Sequence, residues 1–187
     1  MVSSLPRVTE ILAAVGLGVD YGSIPQAALA NARTRGIDGH AAIEAHHYGY
    51  LEGDAPAGYL AFLAETRHQP IVSEVEVVHD RWGYRGHLDR VGWLAGVRGI
   101  FDWKFTETAS LLEWSRQLAA YQAAWNHQHP VESVRLCVVV QFTPDGRYRL
   151  HEIDISLLTR GLRVFQAACV VWHERNGNGN GNDRPGA

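Results

Sequence analysis

The stretch from Tyr84 to Phe105, YRGHLDRVGWLAGVRGIFDWKF, decides how this chain is read. Two arms, Tyr84 to Trp93 and Val97 to Phe105, flank a short Leu94-Ala95-Gly96 connection, which is the layout of a β-hairpin. With a tight turn Leu94 faces Val97, and Asp89 then falls opposite Asp102. Carboxylates opposed across a strand pair, about 5 Å apart, weaken a sheet and raise each other's pKa unless a cation lies between them. A divalent metal resolves that conflict. A loop two residues longer would change the offset but not the faces, so the inference rests on parity. Lys104 follows Asp102 by two residues and shares its face, while Phe101 and Trp103 take the other. Asp-x-Lys alone is a common exposed ion pair; here it ends an apolar strand and meets a second aspartate, and a buried carboxylate pair without a role is costly.

Working upstream, Ile71 to Val78 alternates Ile71, Ser73, Val75 and Val77 against Val72, Glu74, Glu76 and Val78, a half-buried strand. Asp80-Arg81-Trp82-Gly83 is its turn. The first third is mostly helical: a short helix capped by Thr9 and stopped at Gly16, a longer one opened by Pro25 and running toward Tyr50 with Gly36 and Gly39 as interruptions, and a third over Ala57 to Thr66. Downstream, Ser110-Leu111-Leu112-Glu113 forms a capping box, and Trp114, Leu118, Tyr121 and Trp125 follow at helical spacing up to His129-Pro130. That stripe is core packing, with an edge aromatic able to stack on an unpaired base. Arg135 to Phe142 is apolar almost throughout, as a strand covered on both faces should be, and Arg147 to Ile153 returns from the Pro144-Asp145-Gly146 turn. A last helix, capped by Ser156, runs through Glu174. The predicted architecture is α/β, a mixed central sheet of four or five strands flanked by helices, with a helical N-terminal third walling one side of a cleft.

A length of 187 residues fits one domain plus a short tail, divided at 1–175 and 176–187. The tail alternates Asn and Gly, has nothing to bury and is expected to be disordered. Hydrophobic residues at 46% and charged residues at 20% are a globular balance. No uninterrupted apolar run reaches the roughly 18 residues of a membrane span, and no basic segment with an apolar core opens the chain, so the expectation is a cytoplasmic protein without a membrane partner. Cys137 and Cys169 are too few for a disulfide framework or a four-cysteine cluster and read as buried thiols. A net charge of −3 argues against coating nucleic acid by bulk electrostatics. It is compatible with carboxylates that await a divalent cation, which inverts the local field.

Oxygen ligands for Mg²⁺, an activated water and a cation beside them are what phosphodiester hydrolysis requires, and Asp89, Asp102 and Lys104 offer these parts. Around them the sequence resembles the RecB-like branch of the PD-(D/E)XK nucleases, especially phage exonucleases and the mitochondrial genome maintenance exonuclease. The resemblance is carried by Gly86-His87-Leu88-Asp89, Asp102-Trp103-Lys104, and Gln117 with Tyr121 as Gln-x-x-x-Tyr. Upstream, Leu5 to Leu12 is similar to that branch's Pro-Ser-Val-Thr-x-Ile-Leu opening, with Arg7 in place of serine, and Arg35-Gly36-Ile37-Asp38-Gly39-His40 followed by Glu44 to its Arg-Gly-x-x-x-His helix motif. The match spans roughly residues 5 to 125.

The resemblance implies a restriction-endonuclease-like core and a Mg²⁺- or Mn²⁺-dependent deoxyribonuclease. It implies His40, Asp89, Asp102 and the Trp103 carbonyl as metal ligands, and Lys104 to position or deprotonate the attacking water. Gln117 and Tyr121, one helical turn apart, would orient Lys104 or touch the phosphate backbone. Glu74 would reach the metal through water, with Glu44 a weaker candidate; His46 and His47 point about 100° apart and are read as solvated. The partner is DNA, single-stranded or with free ends. Because no phosphate-binding Gly-x-x-x-x-Gly-Lys-Ser/Thr loop is present, a helicase or recombination partner would be a separate protein. The iron-sulfur cluster of some RecB-like relatives lacks its four cysteines here. The competing reading is a nuclease-derived module that binds nucleic acid without cutting it.

Overall fold

A computed structural model of the chain describes residues 5–18, 26–50 and 55–177. In chain order the elements are α1 (Val8–Ala14), α2 (Gln26–His47), α3 (Ala57–Thr66), β1 (Gln69–His79), a 3₁₀ turn at Asp80–Trp82, β2 (Tyr84–Leu94), β3 (Val97–Lys104), α4 (Leu111–Gln128), β4 (Leu136–Phe142), β5 (Tyr148–Glu152) and α5 (Ile155–Gly177). The five strands form one sheet in sequential order; β3 and β4 are parallel and the other neighbouring pairs antiparallel. A parallel pair needs a crossover, and α4 supplies it. The hairpin closes on Ala95 (φ 49°) and Gly96 (φ 78°), with Leu94 paired to Val97 as predicted.

The sheet separates two apolar cores. On one side Val77, Leu88, Val91, Ile100 and Val139 pack with α1, α4 and α5; on the other Phe101, Trp103, Val138 and Val140 pack with Ile43 of α2 and Tyr59 and Phe62 of α3. Alternate residues of β4 are buried in each core, which is why its sequence reads as continuously apolar. Trp114, Leu118, Tyr121 and Trp125 of α4 are all buried, and Cys137 and Cys169 are buried free thiols.

Several local readings are corrected. The alternation expected in β1 breaks at Glu74, whose backbone is left-handed (φ 49°), so Val72, Val75 and Val77 all reach the α4 side. The helix of residues 26–47 is unbroken at Gly36 and Gly39, since glycine costs a helix only about 1 kcal/mol and packing outweighs it. A Cβ on Gly39 would lie 2.2 Å from the Phe105 ring, so glycine here permits close approach of α2 to the end of β3. Helix α1 starts at Val8, one residue before the expected Thr9 cap, and Glu10 accepts the Arg7 N–H at 2.8 Å. Ser110 is the N-cap of α4 but makes no side-chain capping bond, and Asp154 rather than Ser156 caps α5, accepting the Ser156 N–H at 2.7 Å. Helix α5 runs to Gly177, and the tail beyond it and Pro25 lie outside the described residues. Helix α5 is also long and apolar enough to cross a membrane, although its Leu158, Phe165, Ala168 and Cys169 are buried in the core.

Gly86 illustrates how tightly α4 is seated. A Cβ there would come within 2.6 Å of the buried Tyr121 ring. Gly86→Ala is expected to lower metal-free stability by about 1–3 kcal/mol through overpacking, read as a fall in the urea midpoint with an unchanged slope.

Candidate active site

The hairpin ladder stops at Arg90 and Phe101, one residue short of the expected pairing of Asp89 with Asp102. Beyond it the Asp89 side chain takes over the role of a strand: its Oδ2 accepts the Trp103 N–H at 2.7 Å. The strands part here because β2 loses its alternation, Leu88 and Val91 both facing the α4 core while Arg90 lies over the Tyr59 and Trp103 rings of the other. Asp89 and Glu74 occupy the two irregular points of adjacent strands. Backbone strain such as that at Glu74, on the order of 1–3 kcal/mol, collects where a side chain must be aimed.

On β3, Asp102 is 3% exposed and its Oδ2 lies 2.7 Å from Lys104 Nζ. Helix α4 holds the lysine from the other side: Nζ donates to Gln117 Oε1 at 3.4 Å, and Gln117 Nε2 donates to the Tyr121 hydroxyl at 3.0 Å. Burial disfavours the ammonium, but Asp102 and Asp89 outweigh it and hold the Lys104 pKa above its ordinary value. Burial, then repulsion from Asp102, pushes Asp89 well above the usual carboxylate range, with His40 and Lys104 opposing. Burial pushes the Tyr121 phenol up to about 12, so its hydroxyl stays neutral.

His40 reaches the same point from α2. Its Nε2 lies 3.2 Å from the Trp103 carbonyl, and its Nδ1 stands 3.5 Å from Asp89 Oδ1 and 3.9 Å from Glu74 Oε1. Burial lowers its pKa, but Glu74, Asp89 and Asp102 together raise it to about 9. Burial likewise works against the charge on Glu74, which His40 and His87 nevertheless hold at a pKa of about 2. One ligand atom from each of His40, Glu74 and Asp89 lies within 4.8 Å of the others. Two carboxylates and an imidazole, with the Trp103 carbonyl beside them, are a donor set that fits a divalent cation.

The structure therefore gathers every site residue expected from sequence, in two groups. His40, Glu74 and Asp89 converge, with the Trp103 carbonyl on His40; Asp102, Lys104, Gln117 and Tyr121 form the adjoining polar chain. Glu74 stands beside His40 and Asp89, and the Asp102 carboxylate turns to Lys104. Glu44 lines an open cavity of about 540 Å³ with Arg33, Ile37, His40 and Glu74, so α2 does wall one side of the site. His46 and His47 are half-buried against Tyr59 and Tyr48 rather than solvated. His87 was missed: its Nε2 contacts Glu74 Oε2 at 2.6 Å. Its position two residues before Asp89 on the same strand was the available signal.

No family model and no curated protein sequence matches the chain. Among solved structures it is similar to a presumptive exonuclease from Eubacterium rectale, with TM-score 0.51 and 12% identity over 95% of this chain and 82% of that one. An alkaline exonuclease from Laribacter hongkongensis aligns with TM-score 0.44 and 19% identity over 65% of each chain, so this chain spans about two thirds of its length. The same enzyme in complex with dAMP aligns with TM-score 0.41 and 15% identity over 91% of this chain and 83% of that one. The mixed five-stranded sheet flanked by helices, with the site at the parting of β2 and β3, is a restriction-endonuclease-like core.

Proposed function

We propose that the chain is a PD-(D/E)XK nuclease of the RecB-like branch that hydrolyses DNA phosphodiester bonds with Mg²⁺ or Mn²⁺. We assign it to exonucleolytic processing of single-stranded DNA or DNA ends in recombination, repair or genome processing, in the cytoplasm, in a nuclease domain formed by residues 1–175. One observation carries the reading: Asp89, Glu74 and His40 converge beside an Asp102–Lys104 pair that α4 holds in place. The exonuclease description of the Eubacterium rectale neighbour supports the reaction class.

His40, Glu74, Asp89 and the Trp103 carbonyl would hold the metal, with Asp102 within reach. A bound divalent cation supplies Lewis acidity at the phosphate and lowers the pKa of water. The chain's own residues do the rest. Lys104, an ammonium at neutral pH, orients the attacking water by donating to it and offsets charge gained by the phosphorane. Gln117 and Tyr121 restrict that ammonium to one position. The test is cleavage of 5′- and 3′-labelled single- and double-stranded DNA with Mg²⁺, Mn²⁺ or EDTA, comparing wild type with Asp102→Ala. Metal-dependent cutting lost in the variant supports the proposal and shows polarity. DNA binding without cutting by either protein selects the non-catalytic module.

A further expectation concerns protons. With its pKa near 9, His40 is protonated at pH 7 in the metal-free protein. It must lose that proton to become a ligand, so metal binding should release about one proton from His40 at pH 7, with a further fraction from Asp89, whose pKa is also raised, and less as pH rises through 9. Calorimetric titration with Mn²⁺ in buffers of different ionisation enthalpy measures this. Binding heats independent of buffer would remove His40 from the ligand set.

A further inference from the structure

A second group of donors lies away from this site, where β1 ends. His79 is its last residue, Asp80 opens the 3₁₀ turn, and His127 sits on the last turn of α4. The helix end is tied to the strand, since Gln128 Oε1 accepts the Val78 N–H at 3.0 Å. His127 Nε2 lies 2.5 Å from Asp80 Oδ1, and the His79 and His127 rings are parallel with centroids 4.4 Å apart. One ligand atom from each of the three residues lies within 4.8 Å of the others.

An ordinary ion pair accounts for His127 and Asp80 but not for His79. That ring is 9% exposed, covered by His127 on one side and approached by Tyr84, and its Nδ1 is buried without a hydrogen-bond partner. An unsatisfied buried nitrogen is costly, and a cation accepted there would supply the missing partner. Burial, then the neighbouring His127, lowers the His79 pKa, so its imidazole is neutral and fit to be a ligand at pH 7.

We infer that His79, Asp80 and His127 form a second metal site, selective for a divalent transition metal of the Zn²⁺ class. Two imidazole nitrogens and one carboxylate oxygen suit Zn²⁺, Co²⁺ or Ni²⁺, whereas Mg²⁺ prefers oxygen ligands in octahedral array. Three protein donors leave a fourth position for water. Lone pairs of parallel rings do not converge, so binding turns the His127 ring out of the stack and draws the donors to about 2.0–2.2 Å from the ion. His127 has the freedom to turn, being 39% exposed on a helix end. The ion would clamp the β1–β2 turn to the end of α4, the helix that carries Gln117 and Tyr121.

The experiment measures Zn²⁺ uptake by equilibrium dialysis and metal analysis in a His40→Ala/Asp89→Asn background, which dismantles the first donor group. The expected result is about one Zn²⁺ per chain, with affinity at least tenfold weaker after adding His127→Ala or, separately, Asp80→Asn. Both added changes are at exposed positions, and unchanged circular dichroism without metal checks that the fold is kept. No uptake in the background protein overturns the proposal. So does uptake unaffected by both added substitutions, which would place the ion on other histidines.

Discussion

Lys104→Met is expected to lower the rate of metal-supported DNA cleavage by on the order of a hundredfold to a thousandfold, the range seen when one preorganised charge aimed at a transition state is removed. Methionine retains the length of the side chain and loses the ammonium, so packing between β3 and α4 is largely kept. The substitution leaves Asp102, 3% exposed, without its cation and close to Asp89. Removing one partner of a buried pair costs about 3 kcal/mol or more, somewhat less here because the Lys104 side chain is 24% exposed. The sign with pH follows from the raised lysine pKa. The lysine's own charge contributes fully below the unfolded value of 10.5 and is lost only as pH rises beyond it. Because Lys104 also holds down the raised pKa of Asp89, the metal-free stability difference should widen as pH rises through neutrality and Asp89 ionises. Saturating metal should recover part of the stability and none of the rate. Cleavage within tenfold of wild type would remove Lys104 from the chemistry and leave it a structural counter-ion.

Asp89→Asn should have the opposite effect on the two properties. The amide oxygen can still accept the Trp103 N–H, so the parting of β2 and β3 keeps its bond. What is lost is a buried negative charge that faces Asp102. Because burial and that repulsion raise the folded-state pKa of Asp89, its ionisation destabilises the metal-free protein. The protonated form contributes fully below the unfolded carboxylate value of 3.8, and stability is lost as pH climbs above it toward the raised folded value. Metal-free Asp89→Asn should therefore unfold at a higher temperature than wild type at neutral pH, with the difference closing near pH 4. In Mg²⁺ or Mn²⁺ the order should reverse, because the wild type alone gains stability by binding. Cleavage should fall by at least a hundredfold. A variant that still gains thermal stability from metal as wild type does would exclude Asp89 as a ligand.

The polar network explains why so much of the site was legible. Asp102 and Lys104 are two residues apart on one strand, and Gln117 and Tyr121 four apart on one helix, so periodicity alone puts each pair on a common face. The short hairpin then sets Asp89 near Asp102. His40 and Glu74 were harder. Forty-nine residues separate His40 from Asp89, and only the resemblance of Arg35 to His40 to a known motif brought His40 into the set. Glu74 was assigned to a regular alternation that its left-handed backbone breaks.

By itself the sequence determined the α/β class, the hairpin and its register, the buried central strand, and the two pairs Asp102 with Lys104 and Gln117 with Tyr121, because all follow from local periodicity or from a turn two residues long, whereas the meeting of the two pairs was implied only by the family resemblance. Tertiary structure alone decided which carboxylate takes which partner. Asp89 replaces a ladder bond to Trp103, Asp102 turns to Lys104, and His87 supports Glu74. It also decided that His79, Asp80 and His127 meet, since a strand end and a helix end distant in sequence come together only when α4 packs against the sheet. The physical reason is the same in both cases: a charge buried between elements settles with whatever counter-charge the packing brings within reach, and sequence spacing carries no record of that distance.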